Sequence, residues 1–482
     1  MVAPEQQKHL LYRLCRRILR TALGFYFSRI EQFHRERVPA SGPVLFASNH
    51  PNSLTDAFVI GASVPRKVNF VATVQLFRIR PLRWLLTRCG VIAINRVQDD
   101  PRAMRDVHKT FEACFRVLEQ GEAVGIFPEG KCTDELQLKT VKTGAARMAL
   151  ELEARHEGKL GLQIVPVGLT FSAKATYRSE ALVNFGEPIK VGEFLAGYSA
   201  NRHACIQALT AELENRLKSL IVHLPHLERA RIVEAVKRLY LERLLAGNTV
   251  IQEPVAEISG ELLLTQTIAR VVDFAFEHHA KRATEFVRRL GHYEAALRRL
   301  HLSDEVLQQF QERRRLLRQS LTWAVVAILG APVALYGWLH RLVPYAVVRS
   351  VVRRVAKQRP DKTQISTAAI LSGLVAFTGF YALCVSVFHQ FFGWRATALY
   401  ACSLPLASLI AHYYVRELQR FAASLRAATV LLRAPSARRK LLRWRAELIE
   451  LIGAERQEFL SPQLEAVNRR VEPWQRGHAE GK

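Results

Sequence analysis

The fold of the first half of the chain is decided by one strand-to-helix stretch, PVLFASNHPNSLTD, at residues 43–56. Its first part, Pro43 to Ala47, is an uninterrupted apolar run, which is typical of a buried strand. A second apolar run, AVGI at residues 123–126, comes directly before the tetrad FPEG at residues 127–130. Each polar motif therefore follows a predicted strand, and strand ends are where α/β folds carry their ligands. We expect an α/β domain with a functional site at these two strand ends.

Two residues of the first motif, His50 and Asp56, are the candidate catalytic residues. On one continuous helix, six residues rotate by about 600°, which would put the two side chains on different faces. Pro51 biases His50 toward an extended backbone, so we expect the helix to begin after it. We expect Asn52 or Ser53 to cap this helix and Asp56 to lie in its first turn. The carboxylate then binds one imidazole nitrogen and leaves the other to take a proton from a hydroxyl, as a general base does.

Four blocks of the sequence, in their order along the chain, resemble the glycerolipid acyltransferase family. They are the His50–Asp56 motif, GVIAINR at residues 90–96, FPEG at 127–130 and VPVG at 165–168. The combination is far more specific than any single block. Five residues separate His50 from Asp56, whereas four is the commoner bacterial number. This gap is similar to that of the fungal branch acylating glycerol 3-phosphate and dihydroxyacetone phosphate, and YRS at 177–179 and FGEP at 185–188 also fit that branch.

The resemblance implies that His50 deprotonates an acceptor hydroxyl, which then attacks the thioester carbonyl of acyl-CoA or acyl carrier protein. Such a mechanism requires neither an acyl-enzyme nor a cofactor, and the base contributes roughly a hundred- to ten-thousandfold. Arg96 and the turn around Gly130 are the predicted phosphate contacts, because a guanidinium and a glycine-bearing turn both suit a phosphate oxygen. Glu129 is predicted to orient a glycerol hydroxyl or to hold Arg96. Lys131 completes the predicted substrate-binding set.

Cys132 marks a departure from the family pattern, because a basic residue often stands two places after the tetrad. Lys131, directly before it, is a candidate substitute, and Lys142 is a further one. Pro166 and Gly168 are expected to shape a strand and a turn rather than to contact substrate.

Structural alternatives exist for the main site residues. His50 is one of sixteen histidines, and a loop histidine satisfied by hydrogen bonds is the alternative to a catalytic base. Arg96 has acidic neighbours at Asp99 and Asp100, so a surface ion pair is the alternative to a phosphate contact. Ser53 does not lie in a Gly-x-Ser-x-Gly motif, which argues against a serine hydrolase.

The composition indicates a membrane setting. The 482 residues suffice for two or three domains, 49% of them are hydrophobic, and the formal net charge is +26. Arginine and lysine crowd the ends of long apolar stretches, which favours anionic membrane lipids as partners over nucleic acid. The seven cysteines lack paired spacing, which suits a reducing compartment and argues against a metal site.

The chain divides into five predicted segments: an amphipathic membrane-contact segment (1–39), the α/β acyltransferase domain (40–200), a helical connector (201–320), a membrane-embedded region (321–415) and a basic helical tail (416–482). The basic amphipathic stretch at 8–32 carries too many charges for a secretory signal. We expect it to lie in the bilayer interface, and the alternative is a helix that packs on the domain.

Three stretches in the membrane-embedded region have the length of a membrane span: residues 321–339, 367–388 and 396–415. Basic residues flank both sides of the first stretch, so the positive-inside rule places both sides in the cytoplasm. We therefore predict a spanning hairpin for the last two, with the catalytic domain on the cytoplasmic face. The first is predicted to be re-entrant or interfacial, with a helix broken around Gly330, Pro332 and Gly337. Three spans or a buried soluble core are the alternatives.

The sequence thus predicts a membrane-bound O-acyltransferase of phospholipid biosynthesis, with glycerol 3-phosphate or dihydroxyacetone phosphate as acceptor. A lysophospholipid such as 1-acylglycerol 3-phosphate is the alternative acceptor. A non-catalytic membrane-binding protein that has kept the fold is the alternative of another class, and a lipid or thioester hydrolase is a third hypothesis.

Overall fold

The computed structural model describes residues 4–94, 104–133, 135–224, 226–246, 257–309, 313–358 and 362–479. The chain forms two compact units. The first comprises residues 1–225, 256–262 and 346–376, and the second comprises residues 226–255, 263–345 and 377–482. The first unit holds all the described residues of the predicted site.

A mixed sheet is the centre of the first unit. In the described residues its strands are β1 (Arg29–Phe33), β2 (Val44–Ser48), β3 (Val68–Thr73), β4 (Ile92–Ile94), β5 (Ala123–Ile126), β6 (Gln163–Phe171), β7 (Glu180–Phe185) and β8 (Ile189–Lys190). Their order is β1-β7-β6-β2-β5-β3-β4, with β8 beside β6. The β6–β7 and β6–β8 pairs are antiparallel, and the other pairs are parallel.

The two predicted apolar strands are neighbours in this sheet. Strands β2 and β5 pair in parallel, with Val44 opposite Ala123 and Ala47 opposite Ile126. Because parallel neighbours in this register end together, the His-containing motif and the FPEG motif leave the sheet side by side. The expected α/β fold is therefore confirmed.

Helices cover both faces of the sheet. The first unit contains α1 (Pro4–Tyr26), α2 (Leu54–Ser63), α3 (Arg80–Arg88), α4 (Met104–Glu119), α5 (Gly144–Arg155) and α6 (Arg202–Leu220). Leu45 belongs to a core cluster with residues of α4, α5 and α6, whereas Phe46 belongs to a cluster with residues of α1 and α2. Consecutive residues of a strand point to opposite faces, so β2 is buried on both sides, as its unbroken apolar run predicted.

Helix α6 extends the first unit beyond the predicted boundary at residue 200. Leu209, Leu213 and Leu217 are fully buried in the core cluster that contains Leu150 of α5. Their helical spacing was visible in the sequence, but it does not reveal which surface the apolar face meets. The structure places this helix in the first unit, which extends past residue 200.

Helix α1 has features of both interpretations of the N-terminal segment, a helix in the bilayer interface and a helix packed on the domain. Near its end, Leu23 is fully buried, and Arg20 Nε donates a hydrogen bond to Ala62 O of α2 at 3.0 Å. By contrast, Leu10, Leu14 and Ile18 are between 42% and 55% exposed. The last turns therefore pack on the domain, while an apolar stripe faces outward; insertion of this stripe into a bilayer interface stays a proposal.

The remaining helices are α7 (Ala230–Ala246), α8 (Glu257–His278), α9 (Ala280–Arg299), α10 (Asp304–Gln309), α11 (Arg313–Gln358), α12 (Ile365–Phe391), α13 (Trp394–Arg433) and α14 (Pro435–Ala479). In α11, residues 346–358 belong to the first unit, as do residues 365–376 of α12. Most of the described residues of the predicted connector and tail are helical.

Two of the described helices are long and apolar enough to cross a membrane: Ile365–Phe391 and the part Trp394–Ala423 of α13. Only 6% and 17% of their apolar windows are buried, which argues against the alternative of a soluble core. The predicted break near Pro332 is wrong, because α11 continues through Pro332 and Pro344. A proline deletes only one backbone hydrogen bond, and the turns on either side maintain the helix.

Candidate active site

His50 and Asp56 form a buried pair at the end of β2. Helix α2 begins after Pro51, and Asp56 is its third residue. His50 Nδ1 lies 2.8 Å from Asp56 Oδ2, and the two residues are 8% and 0% exposed. The geometry predicted from the sequence is therefore observed.

The cap of α2 differs from the expectation. Ser53 is the N-cap residue, but its side chain makes no capping hydrogen bond. Side-chain caps require a backbone in the extended region, whereas Ser53 has φ 53° and ψ −136°. Instead, the backbone N–H of Asn52 donates to Asp56 Oδ2 at 2.7 Å. The oxygen that contacts His50 is thus held by the turn itself.

The FPEG tetrad fixes the plane of the imidazole. The Phe127 ring stacks on the His50 ring, with centroids 3.9 Å apart and an angle of 11° between the planes. The Phe70 ring lies nearly parallel to the Phe127 ring, and the two ring centroids are 6.3 Å apart. This contact was missed in the sequence, although the phenylalanine is part of the motif that marked the site.

Glu129 connects the two motifs through the backbone. It is 2% exposed, and its Oε1 accepts the N–H of His50 at 2.8 Å. Its Oε2 accepts the N–H of Lys139 at 2.9 Å. Each carboxylate oxygen already receives a backbone donor, so Glu129 positions His50 directly. The predicted contact of Glu129 with a glycerol hydroxyl stays a prediction.

A tight turn and a lysine lie next to this carboxylate. Gly130 has φ 71°, and its N–H donates to Phe127 O at 3.0 Å within the turn. A Cβ at Gly130 would lie 2.8 Å from Lys142 Nζ, which shows that the lysine side chain covers the glycine. Lys142 N also donates to Pro128 O at 3.0 Å. Lys142 therefore brings a positive charge to the turn, and Lys131, next in the chain, is exposed.

Arg96 lies outside the described residues. The strand that precedes it, β4, pairs with β3 at one end of the sheet order. Its predicted contact with a phosphate therefore stays a prediction.

The environment of His50 changes its acidity. Burial lowers the pKa of the imidazole, but hydrogen bonding to Asp56 and to the Cys132 side chain outweighs it and raises the pKa from 6.5 to about 9. Burial also raises the pKa of Asp56, against the opposing effects of His50 and the Asn52 N–H. The raised pKa of His50 favours the protonated imidazole at neutral pH.

One group of possible metal ligands occurs among the described residues, and it lies in the second unit. It consists of His279, Glu455 and Glu458. Arg282 Nη1 lies 3.6 Å from a Glu455 oxygen and 2.6 Å from a Glu458 oxygen. A guanidinium thus already supplies positive charge to both carboxylates, and the group gives no reason to assign a metal.

The geometry of the site agrees with a comparison with known families. The family model named Acyltransferase matches residues 29–170, from the start of β1 almost to the end of β6. The chain carries an acyltransferase-family domain. All the described residues of the predicted site belong to this domain, including His50, Asp56 and the FPEG tetrad.

Among curated proteins, the chain is similar to glycerol-3-phosphate O-acyltransferase 1 of Saccharomyces cerevisiae, with 23% identity over 64% of the chain and 50% of the relative. It is 32% identical to glycerol-3-phosphate O-acyltransferase 2 of the same yeast over 28% of the chain and 18% of the relative. A chloroplastic 1-acyl-sn-glycerol-3-phosphate acyltransferase of Arabidopsis thaliana is 30% identical over 34% of the chain and 41% of the relative. The chain spans half or less of the length of these three relatives.

Proposed function

We propose that this protein is a membrane-bound O-acyltransferase that transfers a fatty acyl group from an acyl thioester to glycerol 3-phosphate or dihydroxyacetone phosphate. The observation that carries the proposal is the buried His50–Asp56 pair, 2.8 Å apart, with His50 hydrogen-bonded to Glu129 of the FPEG tetrad. The family match and the two yeast relatives support the acceptor class. Acyl-CoA or acyl carrier protein is the proposed donor.

In the proposed reaction, His50 acts as a general base. Its Nδ1 is engaged by Asp56, so the other ring nitrogen takes the proton of the acceptor hydroxyl. The hydroxyl oxygen attacks the thioester carbonyl, the new C–O bond forms and the C–S bond breaks. The proton then passes from the imidazolium to the departing thiolate. Asp56 maintains the tautomer and the orientation of the ring throughout.

Positioning of the acceptor is the second part of the proposal. Lys142 and Lys131 place positive charge around Gly130, and Arg96 is proposed to join them on the phosphate. A lysine or arginine held near the site orients the phosphate so that the acceptor hydroxyl lies next to the base. This positioning accelerates the reaction. Glu129 is proposed to act mainly on His50, with its glycerol contact as the secondary role.

A lysophospholipid is the second candidate acceptor. The similarity to the Arabidopsis 1-acyl-sn-glycerol-3-phosphate acyltransferase favours it over other alcohols. The same base and the same phosphate contacts serve both acceptors, because each presents a hydroxyl near a phosphate.

The proposed location is the cytoplasmic face of a membrane. The two apolar helices and the net charge of +26 support association with anionic lipids. The exposed apolar stripe of α1 supports a second contact with the same surface.

The test is a thiol-release assay with a long-chain acyl-CoA and the protein reconstituted in vesicles. Glycerol 3-phosphate, dihydroxyacetone phosphate and lysophosphatidate are offered in turn. We expect release that depends on a small phosphate acceptor and falls about a hundred- to ten-thousandfold in His50→Ala. His203→Ala is the matched control, because His203 is exposed on α6. Release with lysophosphatidate alone would identify the second candidate, and release without acceptor would indicate a hydrolase.

A further inference from the structure

The first turn of α12 lies against residues 50–56, which we call the catalytic turn because it carries the His50–Asp56 pair. The two segments are more than 300 residues apart in the chain. Asn52 Nδ2 donates to Ser366 Oγ at 3.2 Å. The N–H of Thr55 donates to Thr367 Oγ1 at 3.2 Å, and the two threonine hydroxyls are 2.9 Å apart. Ser366, Asn52 and Thr55 are 0% exposed and Thr367 is 8% exposed, so these contacts exclude water.

The hydroxyl of Ser366 uses its full hydrogen-bonding capacity. It accepts from Asn52 Nδ2 and from Tyr26 Oη, and it donates to Lys174 O. One donor and two acceptor positions are what a serine hydroxyl offers. Ser366 therefore joins the catalytic turn to the end of α1 and to the loop after β6. A residue satisfied in this way specifies one arrangement of its neighbours.

One of the residues that α12 contacts, Asn52, also holds Asp56. The backbone N–H of Asn52 donates to the same Asp56 oxygen that binds His50. Ser53, between Asn52 and α2, has a left-handed φ of 53°, which is costly for a residue with a Cβ. A strained turn persists only when its surroundings determine it, and α12 supplies contacts on both sides of the strained residue.

The same helix is one of the two candidate membrane spans. Ile370 is 4% exposed and belongs to the core cluster of α1 and α2. Leu371 and Val375 follow at 41% and 74% exposure. The first turns of α12 thus pack on the core, and the exposed apolar residues that follow are suited to contact with lipid.

We propose that Ser366 and Thr367 are positioning residues for the His50–Asp56 pair, so that the start of a candidate membrane helix completes the active-site geometry. They act through Asn52 and Thr55 and touch neither substrate nor the reacting atoms. The proposal rests on the proposed acyltransferase function for its kinetic consequences. Its geometric consequence, the orientation and titration of His50, is independent of turnover.

The test compares three variants in reconstituted full-length protein. Thr367→Val removes the hydroxyl with little change of shape, Thr367→Ser retains it, and Ser366→Ala removes the other hydroxyl. Ser372→Ala is the matched control, because the Ser372 hydroxyl bonds to Ala368 O of its own helix. We expect kcat to fall about tenfold in Thr367→Val and Ser366→Ala with little change in KM, and to recover in Thr367→Ser.

A second measurement does not need activity. Carbethoxylation of His50, followed by mass spectrometry over a range of pH, reports its titration in each folded variant. We expect the midpoint to fall toward 6.5 in Thr367→Val and to stay at the wild-type value in Thr367→Ser and Ser372→Ala. Wild-type kcat and an unchanged midpoint in both hydroxyl-deleted variants would overturn the proposal. A wild type that is inactive with both acyl-CoA and acyl carrier protein as donor would refute the proposed function, while the titration would still decide the positioning role.

Discussion

The imidazole of His50 has three neighbours that act on different parts of it. Asp56 binds Nδ1, the Phe127 ring covers one face, and the Cys132 side chain adds a further hydrogen bond. Together they fix the ring and favour its protonated form. A general base in this environment gains orientation but needs a higher pH to be in its active, neutral form.

The protonation state of His50 determines how the rate depends on pH. Because the pKa of His50 is raised to about 9, we expect kcat/KM to keep rising from pH 6.5 toward 9. Asp56→Asn removes the partner carboxylate, so the rising limb should move to lower pH while the plateau falls. A limb near pH 6.5 in the wild type would contradict the assigned pKa.

The same shift predicts a pH-dependent stability. The folded pKa of His50 lies above the unfolded value of 6.5, so its stabilising contribution is complete below pH 6.5. It is lost as the pH rises through about 9. Thermal unfolding of wild type and His50→Gln between pH 6 and 10 checks this, and the difference between the two should shrink at high pH.

The carboxylate of Glu129 accepts two backbone N–H groups, so its substitution tests a structural role. In Glu129→Gln one of the two backbone N–H donors, of His50 or Lys139, faces an amide NH2 instead of an oxygen. We expect the free energy of unfolding to fall by roughly 1–3 kcal/mol and kcat to fall with it. Glu193→Gln, at an exposed position, is the control. Unchanged stability with a raised KM would instead show that Glu129 acts on substrate.

At the scale of elements, the site depends on how closely helices approach the sheet. Strand β6 pairs with β2, and Asn49, just after β2, exchanges two hydrogen bonds with Leu169 of β6, at 2.7 and 3.0 Å. One residue earlier, Gly168 lies against the end of α6. Strand β6 thus contacts the residue before His50 through Leu169 and packs against the end of α6 through Gly168.

Gly168→Ala tests this approach. An added Cβ would lie 2.5 Å from Leu220 O and 2.6 Å from Leu220 Cβ, so the helix or the strand must move. We expect a loss of about 1–3 kcal/mol in the free energy of unfolding, measured by denaturant titration. Gly144→Ala is the control, because nothing lies within 4 Å of its added Cβ, and its stability should be unchanged or slightly higher. Equal stability of the two variants would contradict close packing of α6 on β6.

At the scale of the whole molecule, an α/β unit and a helical unit share one chain with two candidate spans. Two spans in sequence form a hairpin, which returns the chain to the side from which it entered. In the proposed topology, the positive-inside rule predicts that the basic flanks of this hairpin lie in the cytoplasm.

This topology predicts the behaviour of tagged protein in sealed vesicles. The full chain should stay in the membrane after extraction with alkaline carbonate, which removes peripheral proteins. Tags at the two ends should be digested from the same side of the vesicle. Digestion from opposite sides would indicate an odd number of spans, and complete extraction would refute spanning.

The strand-to-helix stretch, the α/β class and the His50–Asp56 contact were all predictable from the amino-acid sequence. Those features are local, because an apolar run, a proline and a six-residue spacing restrict the backbone directly. Three other features required the folded structure: the pairing of β2 with β5, the stacking of Phe127 on His50 and the hydrogen bond of Glu129 to the His50 backbone. The folded structure also revealed the contacts of Ser366 and Thr367 with the catalytic turn. Such pairings join distant segments, and the pattern of either segment alone does not identify its partner.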